Sequence, residues 1–101
     1  MEGGEYTVIL DQILGGVFIH EAFGHLSEAD FLYEDKRMRD LMKLGKKFGS
    51  PKLNVVDDGS VQDLLGSTKY DDEGVRTKKN YLIKDGILVG RLHSRETAAK
   101  I

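Results

Sequence analysis

The chain has 101 residues, 40% of them hydrophobic and 32% charged, with 15 basic against 17 acidic side chains and no cysteine. A chain of this size has room for one modest core, and its composition is too apolar for a disordered segment. The net charge of -2 provides no field to draw in nucleic acid or an anionic membrane, and without cysteine neither a disulfide framework nor a cysteine-rich zinc site can be built from this chain alone.

The N-terminal MEGGEYTVIL has neither the positive region nor the long apolar stretch of a secretory signal. The longest apolar-rich run, Ile13 to Ile19, falls far below the ~20 residues that a spanning helix needs. No membrane contact is therefore expected, and the lack of cysteine fits a reducing cytoplasm. The closing ETAAKI carries no Gly or Asn cap, so the chain is expected to be part of something longer.

Tyr6 to Leu10 is rich in Val, Ile and Tyr and predicts a strand that feeds Asp11, a helix cap. From residue 11 to 30 the apolar spacing is helical, although Gly15 and Gly16 weaken the first turns by about 1 kcal/mol each relative to Ala. Residues 34–48 place Met38, Leu41, Met42 and Phe48 at helical intervals among lysines and arginines, which predicts a second, basic, amphipathic helix. Its cationic side is read as a solvated face, since Asp35 and Asp40 interrupt it. Gly49, Ser50 and Pro51 stop it.

Leu53 to Val56 predicts a short strand ended by Asp57, Asp58 and Gly59. Residues 66–74 are polar and turn-rich. Asn80 to Lys84 and Ile87 to Ser94 flank Asp85-Gly86, the signal of a two-residue β-hairpin. The whole reads as an α+β fold, a single partial domain over residues 1–101 with strands and hairpin over 53–97.

The chemistry is concentrated in HEAFGHLSEAD, residues 20–30, whose core is H-E-x-x-x-H. Neutral imidazole is a good zinc ligand, and a carboxylate beside it can take a proton from water that a cation has acidified to a pKa of about 7. His20 and His25 are the candidate ligands and Glu21 the candidate base. The metalloprotease helix familiar from H-E-x-x-H keeps both ligands on one face at i, i+4. Here the spacing is one longer, which leaves the two rings about 140° apart and roughly 7.5 Å along the axis of an ideal helix.

On the same wheel Gly24, Glu28 and Glu21 fall between the histidines at about 40°, 80° and 100°. Phe18, Ala29, Ala22, Leu26, Ile19 and Phe23 occupy the opposite arc, from about 160° to 300°, as a core-facing side. A π-bulge near Gly24 is therefore expected, to bring both imidazoles onto one metal. Glu28 or Asp30 would then ligate the ion or orient a histidine. The competing interpretation is a polar helix edge with structural histidines, in a non-catalytic peptide-binding or assembly module. His93, a lone strand histidine, is a weaker third ligand, and the Asp57-Asp58 and Asp71-Asp72-Glu73 clusters are read as turn chemistry.

The stretch GGVFIHEAFGHLSEADF closely resembles the zinc-motif helix of the TldD family of peptidases, relatives of the PmbA (TldE) proteins. LNVVDDGS, GSTKYDDEGV and KNYLIKDGILVGRLHSRETAAK resemble that family's following segments in the same order. The resemblance implies a zinc-dependent cytoplasmic peptidase acting on peptide or unfolded-protein substrates, with His20 and His25 as zinc ligands and Glu21 as general base. It further implies a larger TldD-like domain around this chain, a PmbA-type partner lacking the histidine motif, and a third, cysteine ligand from outside these 101 residues. Names within the family also speak of modulating DNA gyrase, an activity that the charge pattern does not support.

Overall fold

A computed structural model describes residues 2–101. Helix α1 (Gln12–Ile19) runs directly into a π-helical turn, His20–Gly24, and a 3-10 turn, His25–Ser27. Two short helices follow, α2 (Ala29–Glu34) and α3 (Lys36–Leu41), then strands β1 (Val55–Asp58), β2 (Lys79–Lys84) and β3 (Ile87–Leu88), and helix α4 (Arg95–Lys100). The architecture is α+β, as expected.

The three strands form one antiparallel sheet in the order β1-β2-β3. The hairpin turn carries positive φ at both Asp85 (50°) and Gly86 (78°), the type I′ signature that suits the twist of the flanking strands. Gly86 is required twice over: a Cβ there would stand 2.5 Å from the Ser50 carbonyl oxygen. The register slips between Val55 and Val56, so that Leu82 and Ile83, neighbours in β2, are both buried.

Phe23, Leu32, Met42, Val55, Leu82, Ile83 and Leu88 make the core, with Ile19, Leu26, Met38, Phe48, Leu53 and Leu92 packed against it. The motif segment thus contributes one fully seated anchor, Phe23, whose ring meets that of Phe48 edge-on at 5.7 Å. Burying such a ring is worth roughly 2–3 kcal/mol.

Four expectations from the sequence are corrected. Tyr6 to Leu10 forms no strand: Ile9 is almost fully exposed and no described strand pairs with the segment, so β propensity has no ladder to act on. The motif helix does not run unbroken over residues 11–30, because Glu28 turns to an extended conformation (φ -69°, ψ 121°) and α2 begins anew at Ala29. The basic helix does not span 34–48 but only Lys36–Leu41. Beyond it the backbone bonds to the hairpin instead, through Gly45 N–H to Leu88 O, Leu88 N–H to Lys46 O and Phe48 N–H to Gly86 O, all 2.8–2.9 Å. Finally, Asp57 and Asp58 belong to β1 rather than to the turn after it, and β3 stops at Leu88 rather than continuing to Ser94.

Candidate metal centre

Asp11 caps α1, its carboxylate accepting the Leu14 N–H at 2.8 Å, so the helix starts where the sequence places its cap. At its other end the hydrogen-bond pattern changes. The His25 N–H donates to the His20 carbonyl, a bond across five residues rather than four. That wider turn sets His25 one turn above His20, where a regular α-helix would swing it away.

The consequence for the side chains is direct. The two imidazole rings lie edge to face with centroids 4.6 Å apart. His20, Glu21 and His25 each offer one ligand atom, and these atoms all fall within 4.8 Å of one another. All three side chains are exposed. His25 Nε2 stands 3.9 Å from a Glu21 oxygen, while its Nδ1 is 2.9 Å from Glu28 Oε1.

The core fixes this geometry from below. Phe23, in the middle of the π turn, is buried, and so is Ser27, whose hydroxyl donates to the Phe23 carbonyl at 3.0 Å. Of the side chains expected to face the core, Phe23 and Ala29 are buried and Ile19 and Leu26 are half-buried, but Phe18 and Ala22 stand in solvent. Gly24 lies beside the His20 ring, where a Cβ would be 3.6 Å from Nδ1.

The other candidates lie elsewhere. His93 pairs with Thr97 Oγ1 at 3.3 Å and is not in the cluster. Together with Asp57, Thr68, Arg76 and Arg91 it lines a separate cavity of about 590 Å³ that contains none of the three clustered residues. Asp71 accepts the Glu73 and Val75 N–H groups, as a turn residue does, and Asp58, the last residue of β1, accepts the Ser60 N–H. The Ser60 hydroxyl and N–H together hold the Asp58 carboxyl below its ordinary pKa. Asp30 occupies the exposed first turn of α2 and does not join the cluster.

One element that matters to the site escaped the sequence altogether. Leu92 forms a parallel bridge with Glu28, its N–H donating to Ser27 O and its carbonyl accepting the Ala29 N–H, both at 2.8 Å. No local pattern encodes a pairing between residues so far apart in the chain.

Residues 3–101 match the family model described as the PmbA/TldA metallopeptidase C-terminal domain. The chain is 54% identical to a metalloprotease of Synechocystis sp. over its whole length, which is 22% of that protein. It is 42% identical, over 86% of its length and 19% of the relative's, to a protein of Saccharolobus solfataricus named as a zinc metalloprotease TldD homolog. The chain therefore spans about a fifth of the length of these relatives. A crystal structure from Thermotoga maritima, described as that of a modulator of a DNA gyrase, superposes with a TM-score of 0.61 at 29% identity, over 74% of this chain and 17% of the other. On these grounds the chain belongs to the PmbA/TldD family of metallopeptidases.

Proposed function

We propose that this chain supplies the two histidine ligands and the general base of a zinc-dependent peptidase, with His20 and His25 on the metal and Glu21 as the base. The observation that carries the reading is the π turn, which gathers two imidazoles and a carboxylate from an otherwise unfavourable spacing. The donor set suits zinc. His20 and His25 would hold the ion, two imidazoles being good zinc donors, and their ligand atoms and that of Glu21 all lie within 4.8 Å of one another.

When bound, zinc would supply a Lewis acid for the peptide carbonyl and lower the pKa of water toward neutrality. The chain's own residues do the rest. Glu21, adjoining both imidazoles on the open face, takes the proton of the attacking water, whose oxygen bonds to the carbonyl carbon. It then returns the proton to the departing amine as the C–N bond breaks. His20 and His25 hold their positions through the backbone, because the π turn that carries them is pinned by Phe23 in the core.

Catalytic zinc sites ordinarily take three protein ligands. This chain has no cysteine, so the third ligand, a cysteine by family resemblance, comes from another part of the protein that carries it. Peptide or unfolded-protein substrates, a cytoplasmic setting and a PmbA-type partner belong to the same proposal. The test is the Glu21→Gln variant of the protein carrying this chain. It should retain stoichiometric zinc and lose 10²–10⁴-fold in peptide hydrolysis. Normal cleavage by that variant would remove Glu21 from its role, and a wild-type protein without zinc would favour a non-catalytic module instead.

A further inference from the structure

We infer that Glu28 is a positioning residue for the metal ligand His25, held in place by Leu92 of the segment that leaves the hairpin. The inference rests on the zinc reading above and concerns how one ligand is oriented. An ionised carboxylate can only accept a hydrogen bond, so the 2.9 Å contact from His25 Nδ1 to Glu28 Oε1 places the ring proton on Nδ1. The neutral ring then keeps its lone pair on Nε2, the nitrogen that faces Glu21 at 3.9 Å. Carboxylates that orient a metal-bound imidazole in this way also raise its basicity as a ligand.

The backbone explains why Glu28, rather than Asp30, does this. At Glu28 the chain leaves the 3-10 turn in an extended conformation, and the residues on either side, Ser27 and Ala29, are fully buried. Both are bonded to Leu92, at 2.8 Å each, which brackets Glu28 from two sides. A residue so bracketed cannot follow the drift of an exposed helix end. Its side chain is nonetheless 40% exposed, so its removal should not unfold the protein. Glu28 does not belong to the cluster of ligand atoms, and its contacting oxygen is occupied by His25, which argues against direct ligation. Among the described residues His20 has no such carboxylate, so the two ligands are supported unequally.

The experiment is a zinc competition titration of the protein carrying this chain, in wild-type, Glu28→Ala and Glu28→Gln forms, with visible spectra of the cobalt-substituted proteins and melting curves of the metal-free ones. Glu28→Ala is expected to weaken zinc binding 10–100-fold, shift the cobalt bands and leave metal-free melting unchanged. Glu28→Gln, which keeps an acceptor oxygen without the charge, should fall between. Wild-type zinc affinity and cobalt spectrum in Glu28→Ala would overturn the inference while leaving the zinc reading intact. So would a loss of affinity matched by equal destabilisation of the metal-free protein, which marks a merely structural role. A wild-type protein that takes up no zinc would bring down both.

Discussion

Helix α1 and the turns that follow it are continuous in the chain and opposite in kind. From Gln12 to Ile19 the backbone is regular and buries no side chain, leaving Ile13, Leu14, Val17 and Phe18 more than half exposed. From His20 to Ser27 it is irregular, yet it holds two buried residues and continues into Ala29, which is fully enclosed. A regular helix repeats one local hydrogen-bond pattern, so its form requires no particular neighbour. A π turn is rare, and the contacts that hold this one are Phe23 against Phe48 and the Ser27 hydroxyl on the Phe23 carbonyl. The core grips the chain where the chemistry is proposed, whereas α1 touches it only through the half-buried Ile19 at its end.

The sharpest way to break that contrast is to remove an anchor from each half. Phe23→Ala should cost about 3–5 kcal/mol in denaturant unfolding, the range for deleting a buried ring. Leu14→Ala, at an exposed position, should stay within about 0.5 kcal/mol. Equal costs would mean that α1 is covered after all by parts of the protein beyond these residues, and the contrast would fail.

A smaller effect sharpens it. Gly16 meets nothing within 4 Å of a built Cβ, so Gly16→Ala should add up to about 1 kcal/mol through helix propensity and leave metal uptake untouched. Gly24→Ala is also permitted by its helical backbone (φ -54°, ψ -53°), but its methyl would lie against the His20 ring. That variant should fold with undiminished stability and bind zinc more weakly. The opposite pattern, metal binding that responds to Gly16 and ignores Gly24, would place the sensitive geometry in the wrong half.

Much of this was legible in the residues. The five-residue spacing of His20 and His25 demands a wider turn if the two rings are to meet, and the turn occurs where that demand falls. Asp85-Gly86 specifies its hairpin turn through backbone conformation alone. What was not legible depends on partners distant in the chain. The β-branched run at Tyr6 to Leu10 finds no strand to pair with, and the lysine-rich continuation of α3 yields its helix to hydrogen bonds with the hairpin edge, where Gly45 takes a positive φ of 85°. Likewise Glu28 could be placed on the right face of a helical wheel, but not its choice over Asp30. That choice depends on Leu92, which nothing near residue 28 announces.

The most direct test of the central claim is anomalous diffraction at the zinc edge from crystals of the zinc-loaded protein that carries this chain. One anomalous peak is expected about 2.0–2.1 Å from an imidazole nitrogen of both His20 and His25, with the His25 N–H still bonded to the His20 carbonyl. A straight α-helix through residues 20–25, its two rings pointing apart and the peak absent or bound elsewhere, would contradict it.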